Sequence, residues 1–310
     1  MTGRVNGRFP RLMRLVAVGA VLAVAALVVP DSAVRSTEVE LVKIDRAQGI
    51  DVSPDVVWIL AVGSDARQGE DMTRTRGDAL QLIGMNNKTG AATAIGIPRD
   101  SWAPIPGHGT DKINAALYYG GPKLMARAVG DLVGVQPEYV IISRFRYFEA
   151  MIDDIGGIAV NNPVAFDDQY IKPKRYHNGF PKGRLRLEGT SALAFARIRH
   201  NLIRGDFDRS ANQQRVLRGI QTKVRASAAK PGFIERGVYT VVQHTHTGLS
   251  PVELYRFAHA VAHIDPRKVT TCVVQGSIGE KGGASVVLPY VDQARRLGND
   301  ARKDATIKHC

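Results

Sequence analysis

The sequence predicts an α/β fold in which a mixed central β-sheet is sandwiched between α-helices. Short apolar runs, typical of buried strands, alternate along the chain with longer segments of helical spacing. Two apolar runs, 79–85 and 91–97, flank Asn87-Lys88-Thr89-Gly90, whose turn chemistry predicts a hairpin and hence antiparallel strands within the sheet. The chain has 310 residues, 44% of them apolar, so it can bury a sizeable core.

Each element follows from a local signal. A buried strand is predicted at 56–62, and Gly156-Gly157 ends a helix predicted over 145–155. Ser250-Pro251-Val252-Glu253 is a capping box with proline at the first helical position, and it opens a helix that runs to about His263. The other predicted elements are a helix that starts near Asp111, a helix over 122–133, a strand at 139–142, helices over 188–196 and 206–229, and a strand at 269–274.

The charge balance points to an anionic partner. The chain has 42 Lys and Arg against 29 Asp and Glu, a formal net charge of +13. Such a surplus suits nucleic acid, anionic lipid head groups or a phosphorylated substrate, and composition alone does not choose among them.

The N-terminus predicts a membrane anchor. Four arginines and no acid precede Leu15–Val29, which carries no charge. Counted from Leu12, the apolar segment forms about 27 Å of helix, enough to cross a bilayer core. The positive-inside rule then places the N-terminus in the cytoplasm and the rest of the chain on the outer face. A cleaved signal peptide is the alternative, and it too places the main domain outside the cytoplasm, where DNA is a poor partner.

These signals divide the chain into five parts. The predicted parts are a basic cytoplasmic tail at 1–14, a transmembrane anchor at 15–30, a stalk at 31–55, an extracytoplasmic domain at 56–298 and a charged tail at 299–310. Outside the cell Cys272 and Cys310 could form a disulfide, and their separation of 38 residues neither supports nor excludes one.

Three polar clusters carry the predicted chemistry, and each follows a strand or helix. They contain 63–67 with 75–78, then 97–100 with Lys112, and then 197–200 with 205–215. Guanidinium groups donate bidentate hydrogen bonds that match phosphate oxygens, and Asp65 and Asp78 could hold a Mg²⁺ that bridges those oxygens. The residue types therefore suit a diphosphate ligand.

Spacing adds two expectations about these clusters. Arg197 and Arg199 are two residues apart, so on an extended segment both project to one face. Arg209 and Gln213 are four residues apart and share a face of the predicted helix.

The order of the motifs resembles the LytR-CpsA-Psr family of envelope glycopolymer transferases. The resemblance covers roughly 56–220 and is carried by Gly63-Ser64-Asp65-Ala66-Arg67, Thr75-Arg76-x-Asp78, Ile97-Pro98-Arg99-Asp100, Lys112-Ile113-Asn114, Gly156-Gly157-Ile158, Leu187-Glu188-Gly189, Ala196-Arg197-Ile198-Arg199 and the segment from Gly205 to Gln214. It implies a phosphotransferase on the outer face of the membrane. The donor would be a polyprenyl-diphosphate-linked glycopolymer whose glycosyl phosphate passes to a peptidoglycan sugar hydroxyl, with release of polyprenyl phosphate and the lipid tail held in an apolar groove.

The resemblance also assigns roles to residues. Asp65 and Asp78 would hold Mg²⁺ or Mn²⁺. The resemblance does not supply the base for the incoming hydroxyl, for which Asp100 and Asp206 are our own candidates. The remaining roles are a phosphate clamp and catalytic groups at Arg99, Asp100, Arg197 and Arg199, and diphosphate binding by Arg67, Arg76, Lys112, Arg209, Gln213 and Gln214. Asn212 departs from the family pattern, since relatives often have arginine there, and Arg215 could supply that contact.

Two other functions use the same features. A pyrophosphatase would have the same site with water as the acceptor, and a non-catalytic module would only bind anionic wall polymer. A DNA-binding regulator is opposed by the anchor and by the lack of a helix-turn-helix pattern. Tyr118 and Tyr119 could stack on sugar rings or could serve as rim residues of the fold.

Overall fold

A seven-stranded mixed β-sheet forms the centre of the computed structural model, which describes residues 38–44, 56–64, 66–168, 171–199, 201–237 and 245–310. The strands are β1 (Val39–Lys43), β2 (Val57–Ser64), β3 (Gly77–Met85), β4 (Ala92–Gly96), β5 (Trp102–Ile105), β6 (Gly109–Lys112), β7 (Tyr139–Arg144), β8 (Ile158–Asn162), β9 (Gly183–Leu187), β10 (Thr245–Thr247), β11 (Val269–Val273), β12 (Gly276–Lys281) and β13 (Ala284–Pro289). The order in the main sheet is β10-β1-β7-β2-β3-β4-β11. Parallel and antiparallel pairs occur together, so the predicted mixed sheet is confirmed.

Helices cover both faces of this sheet. They are α1 (Ala115–Val133), α2 (Phe145–Asp154), α3 (Gly189–Arg197), α4 (Asp206–Ala228), α5 (Pro251–His263) and α6 (Val291–Ala301). Buried residues of α1 and α6 form one apolar core with one face of the sheet. On the other face α5 packs against one end of the central strands, while α4 crosses β3, β4 and β11.

Elements with strong local signals form where the sequence predicts them. The β3–β4 hairpin turns through Asn86, whose side-chain oxygen accepts hydrogen bonds from the N–H groups of Lys88 and Thr89, each at 3.0 Å. Ser250 caps α5 by accepting a hydrogen bond from the N–H of Glu253. The predicted helices at 145–155, 188–196 and 206–229 correspond to α2, α3 and α4.

The segment around Asp111 differs from its prediction. It is not the start of a helix but part of β6, which pairs with β5 in a hairpin. Gly107 and Gly109 make this turn possible because both adopt positive φ, at 81° and 72°. Helix α1 begins at Ala115 and is broken at Gly121, where φ is 67° and ψ is −161°.

Two segments predicted to lie outside the domain belong to it. Residues 39–43 of the predicted stalk form β1, which pairs with β7 and β10 inside the main sheet. The predicted charged tail at 299–310 includes the end of α6, and its Ala305 and Ile307 are buried in the core. Cys310 forms a disulfide with Cys272 of β11. The folded domain therefore begins before Val56 and extends to the C-terminus of the described residues.

The described part of the chain begins at residue 38, after the predicted anchor. Across these ranges no helix combines the length and the apolar character needed to cross a membrane. Residues 1–14 and 15–30, predicted as the cytoplasmic tail and the anchor, lie outside the described part of the chain.

Candidate active site

An apolar cavity opens between the main sheet and helices α2, α3 and α4. It encloses about 780 Å³ of empty space when its open mouth is included. On the sheet side β2 and β3 contribute Ala61, Gly63 and Ala79, and Gly63 pairs directly with Ala79 across the ladder. Such small residues leave space between the sheet and the helices, and the cavity occupies it. The lining residues from the helices include Phe145, Phe148, Leu193, Ala196, Val216 and Leu217.

A β-bulge between β2 and β3 brings a carboxylate to the mouth of the cavity. Gly63 pairs with Ala79, but the next residue, Ser64, pairs with Gly77, so Asp78 is the extra residue of the bulge. Neighbouring residues of a regular strand point to opposite faces of the sheet. Because of the bulge, Asp78 and Ala79 both line the cavity although they are adjacent in sequence. The bulge therefore adds a polar end to a wall that is otherwise apolar.

Two arginines from separate segments meet at this carboxylate. Arg99 Nη1 contacts Asp78 Oδ1, and Arg197 Nη2 lies 3.5 Å from Asp78 Oδ2. The guanidinium of Arg197 also lies over the ring of Phe145, 4.4 Å from its centroid. Among the described residues, the buried Nε atoms of Arg99 and Arg197 have no hydrogen-bond partner. These two donors are available to an anionic ligand.

The first turns of α4 complete the polar end. Asp206 Oδ2 accepts a hydrogen bond from the backbone N–H of Arg99 at 3.1 Å, while Oδ1 contacts Arg209 Nη2. One turn later Gln213 donates to the carbonyl of Ala196 at 3.3 Å and accepts from the amide of Gln81 at 3.1 Å. Arg209 and Gln213 both line the cavity, so they share a face of α4 as their spacing predicts.

A second ion-pair set adjoins the first. Asp100 Oδ1 lies 3.3 Å from Lys112 Nζ, and Asp100 Oδ2 lies 3.5 Å from Arg199 Nη1. Lys112 is the last residue of β6, so the β5–β6 hairpin supplies this cation. The two sets together hold five cations and three carboxylates, namely Arg99, Lys112, Arg197, Arg199 and Arg209 with Asp78, Asp100 and Asp206.

Confinement of these cations affects their protonation equilibria. Burial lowers the pKa of Arg99, and the neighbouring charge of Arg209 lowers it further, while Asp100 acts in the opposite sense. Burial also lowers the pKa of Arg209, against the attraction of Asp206. Arginine nevertheless stays protonated near neutral pH. An anion entering the cavity mouth would offset the repulsion among these fixed positive charges.

Other residues predicted to bind the diphosphate lie elsewhere. Gln214 donates to the backbone carbonyls of Ala94 and Cys272, at 3.1 and 2.5 Å, and so connects β4 to β11 rather than lining the cavity. Arg67 and Arg76 are exposed in the segment between β2 and β3. Asp65 lies outside the described residues.

The departure at Asn212 has a local explanation. Asn212 is buried, and its side-chain oxygen accepts a hydrogen bond from Arg215 Nη1 at 2.6 Å. Burial lowers the pKa of Arg215, while the charge of Asp208 acts in the opposite sense. Arg215, which the sequence offered as a phosphate ligand in place of the missing arginine, thus donates to Asn212 instead.

Sequence reasoning missed part of the cavity wall. Gln81 positions Gln213, and Phe145 supports Arg197. The small residues Ala61 and Gly63 are two apart on β2, the spacing that places side chains on one sheet face, and Ala79 pairs with Gly63 from β3. That alternation is the signal in the sequence that could have located the cavity.

The predicted metal site finds one of its two ligands in this cluster. Across the described ranges, no group of three or more His, Cys, Asp or Glu residues comes together in a way that could hold a metal ion. Mg²⁺ commonly takes one or two carboxylates and completes its shell with substrate phosphates and water. Asp78 fits that role beside the arginines, but guanidinium groups contact both of its oxygens. It fits a metal only together with the phosphate groups that would occupy those arginines.

The comparisons with known proteins agree with this geometry. The chain matches the LytR_cpsA_psr family model over residues 30–303. A polyisoprenyl-teichoic acid–peptidoglycan teichoic acid transferase, TagU of Bacillus anthracis (strain CDC 684 / NRRL 3495), is 35% identical over 178 residues, which are 57% of this chain and 55% of TagU. The chain therefore spans about half the length of the curated relatives that it matches first. TagT of Bacillus subtilis (strain 168) is 30% identical over 235 residues, 73% of this chain and 71% of TagT.

Solved structures share the fold. The crystal structure of B. subtilis TagV aligns with a TM-score of 0.65 at 23% identity, over 83% of this chain and 100% of that one. A LytR-CPS2A-psr family protein, YwtF (TagT), with bound octaprenyl pyrophosphate lipid, aligns with a TM-score of 0.60 at 23% identity, over 87% and 99% of the two chains. The family match covers nearly the whole described domain, including every element that lines the cavity, and the chain belongs to the LytR_cpsA_psr family.

Proposed function

We propose that this chain transfers a glycosyl phosphate from a polyprenyl-diphosphate-linked glycopolymer to a sugar hydroxyl of peptidoglycan. The product is a phosphodiester between the glycopolymer and peptidoglycan, and polyprenyl phosphate is released. The names of TagU and TagT, transferases that act between polyisoprenyl-teichoic acid and peptidoglycan, support this reaction class.

One observation carries the proposal: the apolar cavity has a cationic mouth. The five cations form a cluster at one end of the cavity, where Arg197 and Arg209 line it, while most of the other lining side chains are aliphatic or aromatic. A polyprenyl diphosphate has the same two parts, an apolar chain and a doubly charged head. The polyprenyl chain of the lipid would lie against Ala61, Ala79 and Phe148. The diphosphate would contact Arg99, Arg197 and Arg209.

Each polar residue has a role in this reaction. Arg99, Arg197 and Arg199 would clamp the diphosphate, and their charge would stabilise the transition state, in which positioning and charge neutralisation matter most. Asp206 holds the backbone of Arg99 and the side chain of Arg209, so it is a positioning residue. Of the two candidate bases, Asp100 has the longer ion-pair contacts and the more exposed carboxylate. We assign the base to Asp100.

The bond changes follow from these positions. The acceptor hydroxyl oxygen bonds to the phosphorus that carries the glycan, and its proton passes to Asp100. The bond from that phosphorus to the bridging oxygen breaks, and this oxygen leaves as part of polyprenyl phosphate. Arg197 and Arg209 line the cavity whereas Arg99 and Arg199 do not, so we place the first pair on the lipid side of the diphosphate, where they would neutralise the charge of the leaving group.

A divalent cation fits the same site. We propose that Asp78, with Asp65, would hold Mg²⁺ or Mn²⁺ once phosphate oxygens are present. The bound ion would supply further neutralisation of the diphosphate charge. Transfer should then fall when EDTA is added and recover when Mg²⁺ is returned.

The reaction also requires a place at the membrane, because the donor is a lipid. We propose that residues 15–30 anchor the chain, with 1–14 in the cytoplasm and the domain on the outer face. The four arginines before the uncharged segment support this orientation.

The test uses the full-length protein in detergent with a radiolabelled polyprenyl-diphosphate oligosaccharide, Mg²⁺ and peptidoglycan. The expected result is a covalent glycan–peptidoglycan product with equimolar polyprenyl phosphate. Release of phosphates without that product would indicate a pyrophosphatase, and unchanged lipid would indicate a binding module. Either of these outcomes contradicts the proposal.

A further inference from the structure

Two consecutive tyrosines extend into solvent from the first turn of α1. The exposed fractions of Tyr118 and Tyr119 are 59% and 37%. His108, on the turn of the β5–β6 hairpin, stacks on Tyr119 with ring centroids 4.9 Å apart, and Tyr118 meets Tyr119 edge-on at 5.8 Å. The three rings contact one another in one exposed cluster, which we call the aromatic platform. Aromatic rings clustered on a surface are typical of binding sites.

Contacts from two other segments hold the platform in place. Tyr119 Oη donates to Asp111 Oδ2 at 2.7 Å, and this hydrogen bond raises the pKa of Tyr119. The carbonyl of Tyr119 accepts from Arg74 Nη1 at 3.3 Å. The break at Gly121 separates this first turn from the rest of α1. The rings are thus ordered before any partner arrives, which lowers the entropic cost of binding.

The platform is linked through neighbouring residues of the chain to the cluster of cations at the cavity. Asp111, which anchors Tyr119, precedes Lys112, and Lys112 contacts Asp100 at 3.3 Å. Arg76, whose charge acts against the raised pKa of Tyr119, is two residues before Asp78. Two short stretches, 76–78 and 111–112, thus connect the platform to the residues that are proposed to bind the diphosphate.

We propose that the aromatic platform binds the glycan strand of the peptidoglycan acceptor. This inference rests on the proposed function, in which the lipid fills the cavity and the acceptor hydroxyl must approach from outside. The C–H-rich face of a pyranose packs well on an aromatic ring, and its hydroxyls hydrogen-bond to carboxylates and guanidinium groups such as Asp111 and Arg76. Peptidoglycan also carries carboxylates, which complement the exposed Arg74 and Arg76.

Tyr118 offers the sharpest test because its ring is the most exposed of the platform's tyrosines. With full-length protein and saturating donor, Tyr118→Ala should raise the acceptor KM about tenfold, the loss expected for one good aromatic contact. The kcat and the donor KM should stay within twofold of wild type. Tyr118→Trp should restore the acceptor KM, since it restores a ring. Tyr290→Ala is the matched control, because Tyr290 is 55% exposed but lies outside the platform.

A binding measurement separates this inference from the proposed function. A soluble N-acetylglucosamine–N-acetylmuramic acid tetrasaccharide is titrated into each variant by calorimetry, without donor lipid. Weaker binding to Tyr118→Ala than to wild type and Tyr290→Ala supports the platform even if no transfer is observed. Equal binding to all three, or no binding to wild type, overturns it while leaving the transferase reaction intact. A rise in the donor KM instead of the acceptor KM would assign the platform to the donor glycan and also overturn the inference.

Discussion

The two faces of the main sheet are built from the same strands but end in different structures. On the face covered by α1 and α6, β2 and β3 contribute Leu60, Val62, Leu80 and Leu82, and all four are buried in a continuous core. On the opposite face, near α2, α3 and α4, the same strands contribute Ala61, Gly63 and Ala79, and a cavity remains. We call these the closed face and the open face.

Side-chain volume accounts for the contrast. Neighbouring residues in a strand point to opposite faces, so one stretch of sequence can specify a dense core and a cavity together. The open face also receives Asp78, through the bulge, and the arginines that contact it. The closed face therefore supplies stability, while the open face is left unfilled at one end, where a ligand can bind.

Removal of a cation from the open face should have the largest effect on transfer. Arg99→Ala should lower the transfer rate by about 10³-fold or more, the range found when an arginine that stabilises a phosphoryl-transfer transition state is lost. The radiolabel assay described above measures it. Arg302→Ala is the matched control, since Arg302 follows α6 on the closed face and donates to the carbonyl of Gly134. Transfer by Arg99→Ala within threefold of the control would show that the cationic mouth is not the reaction site.

Filling the cavity should come next in effect. Ala79→Leu adds volume beside Gly63, at a position where the wall is made of small residues. The affinity for a polyprenyl diphosphate should fall about 100-fold, while inorganic pyrophosphate should bind as before. Calorimetry with both ligands measures the difference, and thermal unfolding confirms that the variant folds. Equal loss of both affinities would mean that the chain and the head do not occupy separate parts of the site.

Truncation of a core side chain on the closed face should lower the stability of the protein and leave its affinity for the lipid unchanged. Leu82 is fully buried, and Leu82→Ala should lower the free energy of unfolding by about 2–5 kcal/mol because it leaves a void in a dense core. At temperatures where the variant is folded, its affinity for the lipid should stay within twofold of wild type. Urea unfolding and calorimetry give the two quantities. A large loss of affinity would contradict the division of roles between the faces.

The disulfide should have the smallest effect on transfer. Cys272 and Cys310 join β11 to the C-terminus on the closed face, across a separation of 38 residues. Replacing both by serine should lower the free energy of unfolding by about 2–4 kcal/mol. The transfer rate of the folded variant should remain unchanged. A more than threefold loss of transfer would show that the disulfide influences the site on the open face, and would contradict this prediction.

Local signals in the sequence predict much of the fold. The Asn86 turn, the Ser250 cap and the spacing of α4 are each set by a few adjacent residues, so the elements form where expected. The sequence gives no comparable signal for β1, because its place in the sheet depends on β7, about one hundred residues away. The helix predicted to start near Asp111 begins four residues later, at Ala115, because 109–112 pair with β5 as a strand and two glycines form the hairpin turn.

The candidate site likewise has features that the sequence predicts and features that depend on tertiary contacts. Arg99, Arg197, Arg209 and Asp78 stand out as motif residues, and the structure brings them together. Which of two adjacent glutamines lines the cavity depends on how α4 lies against the sheet, a tertiary feature. The bulge that directs Asp78 into the mouth depends on the register of two strands and has no signal at Asp78 itself.

The central claim is that one cavity holds both the apolar chain and the charged head of a lipid diphosphate. Calorimetry with geranyl, farnesyl and geranylgeranyl diphosphate tests it most directly, because only the chain length changes. Affinity for wild type should rise at least tenfold with each isoprene unit while the cavity fills, since burial of about two of the unit's carbons already gives that factor. If all three lipid diphosphates bind no more tightly than inorganic pyrophosphate, the cavity does not hold the lipid chain and the account is contradicted.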